Sequence, residues 1–181
     1  MSESNLWAPW RMQYIRQILP EDEAGSTGSF LRDYWLDPDH DRDNLVLHRS
    51  EHSLVLLNRY PYTNGHLLVA PGEAVADLPD LSPNRRADLM EMTVLAERLL
   101  HIALNPQGVN IGINLGRCAG AGLPGHLHVH VVPRWSGDVN FLSVVGHVRV
   151  VPQALEEVRD ELIAALPAAL DAGSADAQDG Q

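Results

Sequence analysis

The sequence contains a single cysteine, Cys118, and no apolar run long enough to cross a membrane. One thiol excludes an internal disulfide and suits a reducing compartment. A membrane-spanning helix would need about 18 or more consecutive apolar residues. The first residues, Met-Ser-Glu-Ser-Asn, lack the basic and apolar regions of a secretory signal. These absences predict a cytoplasmic protein that does not span a membrane.

Basic residues are also scarce, with 13 Lys and Arg against 24 Asp and Glu and a net charge of −11. This balance argues against a general surface for nucleic acid or for an acidic membrane. It does not exclude a small anionic ligand, because a few donors in a cleft can hold an anion. With 181 residues, 45% of them hydrophobic, the chain is long enough for one domain with a substantial core.

The most informative segment is residues 126–132, in which polar and apolar side chains alternate strictly. This period predicts a half-buried β-strand. On such a strand His126, His128 and His130 project from one face, and the intervening Leu and Val side chains are buried on the other. Three ionisable rings that point to one place make a candidate functional site.

Two chemistries could use this face. Histidines at i and i+2 can share a metal ion, but the first and third histidines are separated by about 13 Å along a strand, so one ion cannot easily bind all three. Alternatively the middle ring is a nucleophile, and its neighbours orient it and hold the oxygens of the group attacked. Imidazole is near neutral at physiological pH and is therefore available for this role.

The neighbouring sequence predicts further strands and two helices. Residues 45–47 and 54–57 form a hairpin pattern, and residues 66–70 and 109–115 predict two more strands. Ser82 and Pro83 begin a helix that continues to residue 104, with apolar side chains at helical spacing. Pro152 begins a second helix, which is expected to stop at Pro167.

Residues 126–132 match the pattern His-φ-His-φ-His-φ-φ, where φ is apolar, and Pro-Arg follows. This segment resembles the signature of the histidine triad (HIT) superfamily. Residues 57–66, 114–116 and 133–138 resemble the bacterial diadenosine tetraphosphate phosphorylase-like branch, as do residues 7–12. The resemblance implies an α+β, HIT-like fold: a mainly antiparallel sheet of about five strands, a covering helix and a C-terminal helix, assembled as a homodimer.

The resemblance also implies nucleotidyl transfer on dinucleoside polyphosphates through a covalent nucleotidyl-histidine intermediate. His128 is then the nucleophile that attacks an α-phosphate, while His126 and His130 orient it and bind the phosphoryl oxygens. Two alternatives stay open. One is a hydrolase of the same fold that cleaves dinucleotides or nucleoside phosphoramidates with water. The other is a non-catalytic nucleotide-binding module.

Several other residues are candidate ligands of the substrate. The loop of residues 116–125 is rich in glycine, so its backbone N–H groups can approach an anion closely. It is not a Walker loop, because it lacks the Gly-Lys-Ser/Thr sequence and a strand follows it. The loop and Asn114 are expected to hold phosphates, and Asn58 and Trp135 the nucleoside. The predicted binding residues are Asn58, Asn114, Gly120, Ala121, Gly122 and Trp135.

No metal-ligand set is visible in the sequence. Many relatives in the family carry Cys-x-x-Cys for zinc, and here Gly28 and Leu31 stand at these positions. A structural zinc site without thiolates has no basis. We therefore expect no required cofactor, although magnesium can accompany a nucleotide substrate. The expected partners are a nucleotide or dinucleotide substrate, inorganic phosphate and a second copy of the chain.

The chain is expected to divide into three parts. Residues 1–43 form an N-terminal arm and linker, whose apolar segment includes Trp7 and Trp10. Residues 44–170 form the HIT domain. Residues 171–181 are small and acidic and are expected to be a disordered tail.

Overall fold

The computed structural model describes residues 28–138 and 152–179. The part of the predicted N-terminal arm that contains Trp7 and Trp10 lies outside this range. None of the helices in the described parts of the chain is long and apolar enough to cross a membrane.

The fold is α+β, as predicted, with a five-stranded antiparallel sheet in the order β1-β2-β3-β5-β4. Three α-helices accompany it within the described residues. The strands are β1 (Val46–Arg49), β2 (Ser53–Leu57), β3 (Leu67–Pro71), β4 (Gly108–Ile113) and β5 (Val129–Arg134), and the helices are α1 (Phe30–Leu36), α2 (Pro83–Leu104) and α3 (Leu155–Asp179).

The core lies on both faces of the sheet. On one face, alternate residues of the strands pack against α2 and α3, and the fully buried Leu67, Leu99 and Leu162 are part of this layer. On the other face a smaller cluster, which includes Leu54 and Leu68, packs against Leu31 of α1. Burial of each such side chain stabilises the fold by roughly 1.5–3 kcal/mol. The helix α1 was not predicted from the sequence.

Local signals set the ends of α2. The side-chain oxygen of Ser82 accepts a hydrogen bond from the N–H of Arg85 at 3.4 Å, and Pro83 occupies the first turn. Asn105 takes a left-handed conformation after the last turn. The helix therefore spans the residues that the sequence predicts.

The C-terminal helix corrects one prediction. Pro167 lies inside α3, which continues to Asp179, so Pro167 does not end it, and residues 171–179 extend the helix instead of forming a tail. A proline in a helix removes one hydrogen bond and costs about 3 kcal/mol. On either side of it, Leu162 and Ala169 are fully buried in the core that α3 shares with α2, and this packing offsets the loss.

Candidate active site

The three histidines lie where β5 begins. His130 is within β5 and is paired with Leu68 of β3 and Gly112 of β4. His126 and His128 precede the strand, which starts at Val129, so the prediction that all three lie on one strand is wrong. The chain leaves the ladder there because the N–H of Leu127 donates to the carbonyl of Val75 at 2.7 Å.

His126 is fully buried and both of its ring nitrogens are hydrogen-bonded. Nε2 lies 2.7 Å from the carbonyl oxygen of Pro71, and Nδ1 lies 2.6 Å from Oγ of Ser29. A carbonyl only accepts, so Nε2 carries the proton and Nδ1 accepts from the Ser29 hydroxyl. Burial, with the nearby His128 and Arg32, lowers the pKa of His126 to about 4 even though the Pro71 bond opposes this.

This geometry corrects the role predicted for His126. A neutral imidazole with both nitrogens bonded inside the protein has no donor left for a phosphoryl oxygen. His126 instead orients His128 through its backbone carbonyl. The carbonyl oxygen of His126 lies 3.0 Å from Nδ1 of His128.

His128 is therefore held in one tautomer. Nδ1 must carry the proton that it donates to the His126 carbonyl, which leaves the lone pair on Nε2. The residue is only 8% exposed. Burial lowers the pKa of His128 although the bond to the carbonyl opposes this. At neutral pH the ring is uncharged, and Nε2 can act as a nucleophile.

His130 is oriented by a chain of hydrogen bonds that begins at Asn58. Nδ1 of His66 accepts from Nδ2 of Asn58 and from the N–H of Tyr62, both at 3.1 Å. Nε2 of His66 consequently carries a proton and donates it to Nδ1 of His130 at 3.0 Å. The proton of His130 is then on Nε2. Burial and the adjacent His128 lower the pKa of His130 to about 4, so this ring is a neutral donor.

Aromatic packing holds the same rings together. The Tyr62 ring is stacked on His130 with centroids 5.6 Å apart, and it contacts His66 at 4.6 Å. The rings of His128 and His130 meet edge to face at 4.9 Å. Gly65 makes the turn that delivers His66: its φ is +75°, and a Cβ there would overlap Leu104.

Sequence analysis did not identify the roles of Ser29, His66 and Tyr62. His66 follows the Asn-Gly turn and, taken alone, is a strand-end histidine. Ser29 is 97 residues away from His126 along the chain, and its one sequence signal is its position before a helix that was not predicted.

The predicted binding residues differ in their burial and in the hydrogen bonds that they make. Asn58 is 6% exposed, and its Oδ1 accepts from the N–H of Tyr60 at 3.0 Å, so its amide supports His66. Asn114 is half-buried and lies two residues after Gly112, the partner of His130 in β4. It follows the last residue of β4 directly. The nucleoside contact of Asn58 and the phosphate contact of Asn114 stay predictions.

The loop of residues 116–125 is arranged around a short 3-10 turn at Arg117–Ala119. The N–H groups of Gly120 and Ala121 donate to carbonyls of Arg117 and Gly116, at 3.0 and 3.2 Å. These two groups are occupied within the loop. A phosphate-binding role of Gly120, Ala121 and Gly122 stays a prediction.

Trp135 is half-buried and follows the last residue of β5. It lies five residues beyond His130 along the chain. Asp138 holds the turn that follows, since it bonds Nη2 of Arg134 at 3.0 Å and the N–H of Trp135 at 3.4 Å. The stacking of Trp135 on a base stays a prediction.

The donors around His126 differ from those of a structural zinc site. Within residues 28–138 and 152–179, no group of three His, Cys, Asp or Glu side chains is placed to hold a metal ion. The partner of Nδ1 of His126 is the Ser29 hydroxyl, whereas zinc sites use thiolate, imidazole or carboxylate ligands. The residues present therefore do not fit a zinc ion.

The sequence of this chain is similar to those of several known proteins. The HIT domain family matches residues 40–137, which is slightly more than half of the chain. A protein named AP-4-A phosphorylase, from Mycobacterium tuberculosis, is 41% identical over 155 residues, covering 85% of this chain and 80% of that protein. An asymmetrical bis(5'-nucleosyl)-tetraphosphatase from Schizosaccharomyces pombe is 36% identical over 93 residues, covering 51% of this chain and 50% of that protein.

A similar solved structure is that of a Zn-bound histidine triad family protein from Mycobacterium smegmatis. It is 32% identical in sequence and superimposes with a TM-score of 0.60, covering 77% of this chain and 95% of that chain. The sheet and the covering helix of this chain thus agree with one family of proteins.

Proposed function

The chain belongs to the histidine triad (HIT) family, and on this premise we propose that it is a nucleotidyltransferase of dinucleoside polyphosphates that works through a nucleotidyl-His128 intermediate. One observation carries the proposal. Nδ1–H of His128 is held by the carbonyl of His126 at 3.0 Å, so a neutral ring presents the lone pair of Nε2.

The first step forms one bond and breaks one. Nε2 of His128 attacks the α-phosphorus, a P–N bond forms, and the P–O bond to the remaining polyphosphate breaks. The neutral His130 carries a proton on Nε2, which can donate to a phosphoryl or leaving-group oxygen. In the second step an acceptor oxygen attacks the same phosphorus, and the P–N bond breaks to regenerate His128.

The substrate class follows from the relatives. A relative that is 41% identical over 85% of this chain is named an AP-4-A phosphorylase, which favours diadenosine tetraphosphate as substrate and inorganic phosphate as acceptor. ATP then leaves in the first step. Phosphate attacks the adenylyl group in the second step and leaves as part of ADP. Magnesium can accompany the nucleotide.

The identity of the acceptor gives a direct prediction. Phosphate should accelerate turnover of diadenosine tetraphosphate and yield ATP plus ADP. The loop beside the triad carries Arg117, several backbone donors and no acidic side chain, so a second anion is favoured there. Phosphate labelled with heavy oxygen should place its label in ADP. Arg117→Gln should raise the phosphate concentration needed for half-maximal rate, whereas Arg85→Gln, on α2, should not.

The same experiment tests the main alternative. If phosphate has no effect and AMP plus ATP appear, with heavy oxygen from labelled water in AMP, the enzyme is a hydrolase of dinucleotides or nucleoside phosphoramidates. The tetraphosphatase relative keeps this candidate open. If acid-quenched protein never retains a labelled nucleotide and no product forms, a non-catalytic binding module is the correct assignment.

We propose that the enzyme needs no metal bound to the protein, although a similar structure is described as Zn-bound. Ser29 occupies Nδ1 of His126, and Leu31 is buried in the core beneath α1. Purified protein should contain no stoichiometric zinc and should keep its melting temperature in chelator. Elemental analysis that finds about one zinc per chain, lost together with stability in chelator, would refute this.

We further propose a cytoplasmic homodimer. The edge strand β4 exposes Ile111, and the neighbouring α2 exposes Met90 and Ile102. An uncovered edge strand and apolar side chains of this size favour pairing with a second chain. Light scattering at micromolar concentration should give the mass of a dimer, and a monomer mass would contradict the proposal.

A further inference from the structure

We propose that Ser29 is a positioning residue of the histidine triad, because its hydroxyl fixes the His126 ring whose backbone carbonyl holds the nucleophile His128. This inference rests on the proposed function, since it assigns Ser29 a part in setting the reactivity of Nε2. Ser29 itself is 97 residues away from His126 along the chain. It contacts no reacting atom in the proposed mechanism.

The hydrogen-bond directions around Ser29 are determined by its partners. Its Oγ accepts from the N–H of Arg32 at 3.3 Å, which caps the first turn of α1. The hydroxyl donates to Nδ1 of His126, 2.6 Å away, because that nitrogen carries no proton. Because Nε2 of the same ring donates to the carbonyl of Pro71, the imidazole is held at both nitrogens between α1 and β3. If the ring flipped by 180° or changed its tautomer, at least one of these two hydrogen bonds would be lost.

Ser29 is a firm support because α1 is fixed to the sheet at several points. Leu31 is fully buried. Nη1 of Arg32 donates to the carbonyl of Gly72 at 2.6 Å, one residue after the carbonyl that His126 uses. The ring of Trp35 covers Gly72, where a Cβ would overlap it. The helix and the end of β3 therefore form one rigid unit around the His126 ring.

The consequence for the reaction follows from geometry. The carbonyl of His126 accepts the proton of Nδ1 of His128 at 3.0 Å, and this bond sets both the tautomer and the direction of Nε2. A displaced His126 moves that carbonyl, and a displacement of about 1 Å can cost about 10²-fold in rate. Loss of the Ser29 hydroxyl acts on His128 only through His126, so we expect kcat to fall by less than about 10²-fold.

The kinetic test compares two serines that each cap a helix. Ser29→Ala should lower kcat for diadenosine tetraphosphate about tenfold and leave KM within about twofold, while Ser29→Thr should restore most of the rate. Ser82→Ala removes the cap of α2, which has no contact with a histidine among the described hydrogen bonds, and should leave kcat unchanged. Equal losses in Ser29→Ala and Ser82→Ala, or no loss in Ser29→Ala, would overturn the proposal.

A measurement without substrate separates this proposal from the proposed function. In nitrogen NMR of histidine-labelled wild-type protein at neutral pH, His126 should carry its proton on Nε2 and show a hydrogen-bonded, unprotonated Nδ1. The assignment is made by difference from His126→Gln. In Ser29→Ala the Nδ1 signal should move towards that of a nitrogen without a hydrogen bond. A protonated Nδ1 on His126 in the wild type would overturn the proposal, even if Ser29→Ala fails to fold.

Discussion

Replacing His128 by alanine is expected to reduce kcat by at least about 10³-fold, because the variant has no atom that can form the P–N bond. The fold should persist. The ring of His128 makes its hydrogen bond to the backbone of His126, and the core on that side of the sheet is formed by Leu54, Leu56 and Leu68. Steady-state rates and acid-quench trapping of labelled nucleotide on the protein should be measured together.

Two variants make this result specific. His130→Ala removes a hydrogen-bond donor but keeps the nucleophile, so it should retain more activity, with a loss of about 10²-fold, and should still trap label. His101→Ala changes an exposed histidine of α2 and should retain full activity. Comparable rates for the wild type and His128→Ala, at equal thermal stability, would show that His128 is not the nucleophile.

Local sequence patterns were sufficient to predict the main elements of the fold. The helix at residues 83–104 has an N-cap serine, a proline in its first turn and apolar side chains at helical spacing, and these signals act over a few residues. The hairpin of β1 and β2 and the strand β4 are likewise marked by short alternating or apolar segments. The end of α3 could not be predicted in this way, because burial of Ala169 beyond Pro167 depends on α2.

The residues of the site were likewise predictable only where a local sequence pattern marks them. The alternation at residues 126–132 identified three histidines, but the sequence alone assigned His126 and His130 equivalent roles. The structure separates them through partners that are distant in sequence: Ser29 binds the first and His66 binds the other. No local pattern encodes these pairs, since each depends on how the helix α1 and the turn before β3 pack onto the sheet.

These partners explain why three histidines can be placed side by side. Each ring is neutral in the folded protein, so no two positive charges need to be brought together. The buried nitrogens are still satisfied, because each ring donates at one nitrogen and accepts at the other where the protein supplies a partner. Asn58 and Ser29 are the terminal groups that make this arrangement possible.

The same neutrality makes the fold sensitive to acid, and the free energy of unfolding should fall as pH is lowered from about 6.5 towards 4. The pKa of His126 is lowered to about 4 in the folded protein, chiefly by burial, from its ordinary value of 6.5. Between these values the unfolded chain binds a proton that the folded protein does not, so stability rises with pH across this window. Below about 4 both states are protonated and this loss is complete.

The size of this effect is on the order of 3 kcal/mol for His126, and His130, whose pKa is also lowered to about 4, adds to it. Urea unfolding of the wild type between pH 7.5 and 4.5 should therefore show a steep fall in the midpoint. His126→Gln, which keeps a polar side chain without a titrating ring, should show a shallower fall. Ser82→Ala should lower the midpoint without changing its dependence on pH, since it removes a helix cap only. An identical pH dependence in the wild type and His126→Gln would show that His126 is not the buried neutral ring that the structure describes.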